Sequence, residues 1–196
     1  MSNFIIENGI LNRYTGSGGR VVIPAQVREI NDFAFHKCTA VTEIVIPNGV
    51  TKIGCRVFQK CTALTDITIP DSVTEIGEEA FDSCESLKKI VLPAALKKIS
   101  HSLFTYCDNL TEIVLPEGLA EIEANAMGSC RSLTEFTVPE GVTVIRPYTF
   151  SWCSSLSRVN LPESLTKIEA KAFIGCTALK DLHIPQGVTQ IDDTAF

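Results

Sequence analysis

Val73-Thr-Glu-Ile76-Gly-Glu-Glu-Ala80-Phe81-Asp-Ser-Cys84-Glu-Ser-Leu87-Lys-Lys-Ile90-Val-Leu92-Pro93 recurs along this chain with mainly its polar letters changed. Prolines stand at 24, 47, 70, 93, 116, 139, 162 and 185, and cysteines at 38, 61, 84, 107, 130, 153 and 176; every interval in both ladders is 23. Only Pro147 and Cys55 fall outside them. The Phe81 position recurs as Phe35, Phe58, Phe104, Met127, Phe150, Phe173 and Phe196, and the Ile76 position as Ile30, Ile53, Ile99, Ile122, Ile145, Ile168 and Ile191. Independent ladders with one period mark an array of like structural units, which decides the architecture before any single element is read.

Within the unit, Leu87-x-x-Ile90-x-Leu92 alternates about an outward Val91, the period of a strand. Pro93 has no N–H to give a ladder, so pairing stops there in every unit. A turn follows, helped by Gly49, Gly118, Gly141 and Gly187 or by Ser72 and Ser164. The spacing of Val73, Ile76, Ala80 and Phe81 predicts one short helical turn, α or 3-10, on the far side. Such a unit cannot bury its apolar edge alone. Stacking makes one continuous core, with parallel strands ~4.8 Å apart and a curved rod roughly 35 Å long.

The fold expected is therefore an α/β repeat: a solenoid with a parallel β-sheet on its concave face and short helical or 3-10 turns on its convex side. Residues 1–23 form the cap and first strand, and residues 24–196 about seven repeats, the last incomplete, all in one domain. Phe4-Ile-Ile, Glu7-Asn8-Gly9 and Ile10-Leu11 read as a β-hairpin about an Asn-Gly turn, covering the first coil. The sequence stops at Phe196, in mid-repeat, which leaves two readings open: a fragment, or an end that packs on another molecule. The expected state is a monomer, with end-to-end association as the alternative.

Apolar residues make up 45% of the chain and charged residues 20%, enough to bury a large core. The formal net charge of −6 argues against a sequence-independent nucleic-acid binder, which needs a basic face. No stretch approaches the ~20 apolar residues of a membrane helix, so membrane insertion is not expected. The first residues show neither a basic segment nor a long apolar one, so no signal peptide is visible.

The consensus Leu-x-x-Ile-x-Ile-Pro-x-x-Val-x-x-Ile-x-x-x-Ala-Phe-x-x-Cys resembles the BspA-like, or Treponema pallidum-type, leucine-rich repeats, over essentially residues 4–196. The opening Ile-Glu-Asn-Gly-Ile-Leu-x-x-Tyr-Thr-Gly-x-Gly-Gly is similar to the start of such proteins from gut bacteria. The resemblance implies a right-handed solenoid and a non-enzymatic, often surface-associated role; some members are adhesins for host matrix proteins or other microbes. It brings no catalytic residues, because the motif is structural. Met127, Phe136, Val41 and Pro147 are mild departures. The surface location that it implies stands against the cytoplasmic one that the lack of a visible signal peptide suggests.

No constellation of catalytic residues, metal ligands or cofactor contacts is apparent. The cysteines include no Cys-x-x-Cys pair, and seven ladder sites cannot all pair, so each reads as a small buried hydrophobe. His36, His101 and His183 occupy different positions of the repeat. His183 with Asp181 and the neighbouring Ser157 lacks a visible means of activating a nucleophile. Trp152 beside Cys153 reads equally as packing on the adjacent coil or as an exposed anchor for a partner. No calcium loop or phosphate loop is present.

Binding falls to the outward strand positions. One column holds Arg20, Glu43, Asp66, Lys89, Glu112, Glu135, Arg158 and Asp181, and the next Val22, Val45, Thr68, Val91, Val114, Thr137, Asn160 and His183. A flanking column holds Thr42, Thr65, Lys88, Thr111, Thr134, Ser157 and Lys180. The partner face expected is Lys88, Lys89, Val91, Glu112, Val114, Glu135, Thr137, Arg158, Asn160, Asp181 and His183. It suits a protein partner through a concave face. A glycan is the alternative, although these columns hold no aromatic ring. A spacer region of a larger protein is the third reading.

Overall fold

The computed structural model describes residues 3–196 as a parallel-strand β-solenoid. β1 (Phe4–Glu7) and β2 (Ile10–Tyr14) form the antiparallel hairpin predicted for the cap. Asn8 and Gly9 turn it with φ of 52° and 79°, the left-handed pair that matches strand twist. Each coil then contributes to two rows. The long row comprises β3 (Gly19–Val22), β5 (Val41–Val45), β7 (Asp66–Thr68), β9 (Lys89–Val91), β11 (Glu112–Val114), β13 (Glu135–Thr137) and β15 (Arg158–Asn160). The second row is one of two-residue strands: β4 (Glu29–Ile30), β6 (Lys52–Ile53), β8 (Glu75–Ile76), β10 (Lys98–Ile99), β12 (Glu121–Ile122), β14 (Val144–Ile145), β16 (Lys167–Ile168) and β17 (Gln190–Ile191). β2 continues that row by pairing with β4, which fastens the cap to the solenoid.

Every ladder proline closes a turn. The carbonyl of Pro24 accepts from Val27 at 3.0 Å, that of Pro93 from Leu96 at 3.1 Å, and that of Pro162 from Leu165 at 3.1 Å. The proline thus ends the strand for want of an N–H and begins the corner with its carbonyl.

The third side of the coil is not helical. No helix occurs among the described residues. Two positions per coil instead take left-handed backbone: Phe33, Arg56, Glu79, Ser102, Asn125, Tyr148 and Lys171, then Lys37, Lys60, Ser83, Tyr106, Ser129, Trp152 and Gly175. Alternate N–H groups leave the coil and reach the next one: Phe33 to Cys55 at 3.0 Å, Phe35 to Val57 at 2.9 Å and Lys37 to Gln59 at 2.9 Å. The intervening groups close turns on their own coil, as Ala34 does on Asn31 at 3.2 Å and His36 on Phe33 at 2.9 Å. A helix would direct these donors to its own carbonyls four residues back. Bonding along the solenoid axis wins, and the spacing of Ile76, Ala80 and Phe81 is that of a coil bending around its core.

Phenylalanine rings fill that core as an axial stack. Centroids lie 5.4 Å apart for Phe35–Phe58, 5.3 Å for Phe58–Phe81 and 5.7 Å for Phe81–Phe104. Tyr14 of the cap lies on Phe35 at 5.0 Å and closes the first end. Met127 interrupts the stack, and its coil carries the extra ring Phe136, 5.1 Å from Phe150, where other coils have Ile, Val or Leu. The volume lost at one core position is returned at another.

Strand pairing lapses at two coil boundaries, in both rows together: between β7 and β9 with β8 and β10, and between β11 and β13 with β12 and β14. The turn arms stay bonded there, by Phe81 to Leu103 at 3.0 Å and Met127 to Thr149 at 3.0 Å. On the cap-proximal side of each seam the core residues Ile67 and Ile69, and Ile113 and Leu115, are half-buried, whereas Ile44, away from both seams, is buried. The solenoid is thus three segments joined along the turn arm.

Two outcomes are expected. Met127→Phe alone overpacks the core, costing ~1–3 kcal/mol, and Phe136→Ile alone leaves a cavity of similar cost; in denaturant melts the double variant loses at least ~1 kcal/mol less than the sum. In hydrogen exchange, amides of 89–91 and 135–137 that face the seams exchange faster than those of 43–45.

Candidate functional site

All eleven residues of the expected partner face are exposed. The register decides which of them meet. Lys89 pairs with Glu112, Nζ to Oε1 2.8 Å, and Val91 lies beside Val114 in the same ladder. Glu135 faces Arg158 at 4.0 Å, and the Asn160 amide donates to Thr137 Oγ1 at 2.9 Å. The seam between β11 and β13 separates these two foursomes. A groove opens along it, lined by Glu112, Ile113 and Leu115 on one side and Glu135, Phe136 and Thr137 on the other. A like groove, lined by Asp66, Ile67, Thr68, Lys89 and Val91, marks the first seam.

Asp181 and His183 depart from the expectation. No strand forms over residues 180–184, so these two side chains are not held in the columns beside Arg158 and Asn160. That stretch stands at the edge of the long row, with a neighbour on one side only, and its ladder does not close. Lys88 contributes its carbonyl rather than its charge: it accepts from the Thr111 N–H at 2.9 Å and the Thr111 hydroxyl at 3.0 Å.

The hydroxyl-rich column is likewise used internally. Thr65 Oγ1 donates to the Thr42 carbonyl at 3.0 Å and Ser157 Oγ to that of Thr134 at 3.2 Å. Ser157 therefore gives its proton to a carbonyl and has no base to activate it. Among the described residues no group of three His, Cys, Asp or Glu is placed to hold a metal ion. No helix among them is long and apolar enough to cross a membrane.

The cysteine ladder has one repeated role. Each buried thiol donates to the carbonyl of the aromatic position in the preceding coil: Cys61 to Phe35 at 3.2 Å, Cys107 to Phe81 at 3.1 Å, Cys176 to Phe150 at 3.0 Å. That carbonyl also closes a turn within its own coil, as Phe35 does with Cys38 at 3.0 Å. Cysteine suits the position because it is small, apolar and still a weak donor. All eight are free thiols. Burial pushes Cys61 up to about 12 and Cys176 to about 11, and raises Cys84, Cys107, Cys130 and Cys153 further.

Exposed aromatic rings stand elsewhere, on the turn arm: Phe33 near the cap, and Tyr106, Tyr148 and Trp152 farther along. Of these, the sequence singles out only Trp152. A legible signal was that Tyr106 and Trp152 share one repeat position, two units apart. Trp152 packs against Gly175 of the next coil and remains 58% exposed.

This geometry is that of a leucine-rich-repeat solenoid built from 23-residue coils. The chain matches the BspA type leucine rich repeat region in six copies, over residues 13–100 and 81–196, and belongs to that family. It is similar to the crystal structure of a Treponema pallidum leucine rich repeat protein, with 35% identity and a TM-score of 0.84 over 88% of this chain and 83% of that one. A leucine-rich repeat protein from Eubacterium ventriosum is 29% identical, with a TM-score of 0.79 over 92% of this chain and 51% of that one. A leucine rich cell surface protein from Faecalibacterium prausnitzii is 25% identical, with a TM-score of 0.56 over 98% of this chain and 83% of that one. None of the curated proteins compared with the chain matches it. Repeats of this family typically mediate protein interactions, and the fold is generally non-enzymatic.

The thiols set an alkaline limit on stability. In the unfolded chain they ionise near their ordinary range of 8.5–9, while the buried ones stay protonated. Their contribution is intact below that range and is lost as pH rises toward the folded values. Each thiol ionised only in the unfolded state removes ~1.4 kcal/mol per pH unit. Thermal melts from pH 7 to 11 should therefore fall steeply above about pH 9, and Cys84→Ala with Cys130→Ala should flatten the alkaline limb.

Proposed function

We propose that this chain is a non-enzymatic interaction module, adhesin-like and displayed at a cell surface, that binds a protein through the outward face of its long strand row. One observation carries the reading. Val91 and Val114, 52% and 37% exposed, adjoin in register, with the Lys89–Glu112 pair on one flank and the Glu135–Arg158 pair beyond the seam. An apolar centre with a charged rim is the anatomy of a protein interface. The half-buried Ile113 and Leu115 in the seam add apolar surface that an inserted side chain would cover.

The surface location is supported by the relative from Faecalibacterium prausnitzii, which is described as a cell surface protein. A second reading, a scaffold or spacer within a longer array, is favoured by one fact: the chain spans 51% of the Eubacterium ventriosum protein. In that case the face would bind neighbouring parts of its own polypeptide.

The test is a panel of immobilised host matrix proteins and bacterial surface proteins, read by biolayer interferometry. Binding to a member of the panel should weaken about tenfold or more on Val91→Asp with Val114→Asp. It should become strongly salt-dependent, and weaker, on charge reversal at Lys89 and Arg158. Unchanged affinity in both variants removes this face from the function.

A further inference from the structure

Three consecutive turn arms carry no charged side chain: residues 102–106, 125–129 and 148–152. Flanking arms are charged, with Arg56, Lys60, Glu79 and Asp82 before them and Lys171 after. Among the described residues, the buried polar side chains, such as Ser102, Thr105, Ser129 and Ser151, all lie in or next to these three arms. The Asn125 amide bridges two of them, reaching Ser102 Oγ at 3.0 Å and Thr105 Oγ1 at 3.2 Å. An uncharged, hydroxyl-bearing floor thus spans three coils.

On it stand Tyr106, Tyr148 and Trp152, 50%, 41% and 58% exposed. Each sits in left-handed backbone, with φ of 58°, 59° and 59°. That conformation belongs to the ladders themselves, which elsewhere hold Phe33, Arg56, Lys60 and Lys171 as well as Asn125 and Gly175. Rings as exposed as these do not serve the core. Tyr106 and Trp152 occupy equivalent positions two coils apart, about 9.6 Å along the axis, with Ser129 between them. Trp152 lies across Gly175, where a Cβ would meet its ring atoms at 2.6 and 2.8 Å. Gly175 thus makes room for the indole to lie down along the arm.

We infer that this arm binds a neutral oligosaccharide. Tyr106 and Trp152 stack on the apolar C–H faces of alternate pyranose rings, and the Tyr106 hydroxyl and the Trp152 indole N–H meet sugar hydroxyls. A protein hot spot gathers its rings into one desolvated pocket with a charged rim. Here the rings stand in file, separated by a small polar residue, with no charge between them. Stacked nucleobases would need free cations for their phosphates, and the nearest are engaged: Lys171 lies over the Tyr148 ring at 5.5 Å and Arg131 pairs with Asp108 at 3.5 Å. This surface is distinct from the strand face, so either can fail without the other.

Trp152 is the single tryptophan of the chain, so its emission reports on the site directly. The chain is titrated with mannan, xylan, laminarin and chitohexaose, with heparin as the charged control, and binding is measured in parallel by calorimetry. The expected result is a saturable emission shift with at least one neutral glycan and none with heparin. Tyr106→Asn should weaken that binding about tenfold while leaving the melting temperature unchanged or higher. The proposal is overturned if no neutral glycan of the panel shifts Trp152. It is equally overturned if Tyr106→Asn with Trp152→Asn binds as the parent does by calorimetry, or if Tyr106→Asn lowers the melting temperature and so shows the ring to be packing.

Discussion

Hydrogen bonding along the solenoid axis is the constraint on which everything else in this molecule depends. Each coil has to present donors and acceptors to the next at the same height, so the chain must return to the same place after every 23 residues. Insertion of one residue in one coil would shift all of its axial donors against their partners. That is why the period is unbroken from Pro24 to Pro185. The proline carbonyls, the paired left-handed positions and the thiol-to-carbonyl bonds are three local means to that one end.

The same constraint explains where variation is tolerated. A core position can change if its own coil compensates, as Met127 and Phe136 do. Strand pairing can lapse at two boundaries because the turn arm holds the coils together there. In-register charges such as Arg20–Glu43 and Lys89–Glu112 follow from stacking like positions on each other, and exposed pairs of this kind add little stability individually. The proposed recognition falls to side chains that the axis does not use. The strand face and the aromatic arm are two places where such side chains collect.

Much of this was legible in the residues. Pro93, Cys84, Phe81 and Ile76 disclosed the repeat, the core and the reduced thiols, because a stacked array must print its buried positions at a constant interval. Asn8-Gly9 disclosed the hairpin, because few residues accept its backbone angles. The columns of Lys89, Glu112, Val91 and Val114 followed from the period once a strand was placed. The expected helical turn does not form, since apolar residues three and four apart describe a corner in a coil as well as a helix.

What the sequence by itself determined is the period, the buried set and the neighbours of every side chain one coil away, because those depend only on repetition. Tertiary structure alone decided the left-handed ladders, the two seams, the absence of a strand over residues 180–184 and the uncharged aromatic arm. These depend on where each backbone donor turns, and identical spacing is compatible with a donor turned inward to a helix or outward to the next coil. The solenoid turns it outward, and so sets Tyr106 and Trp152 in file on its surface.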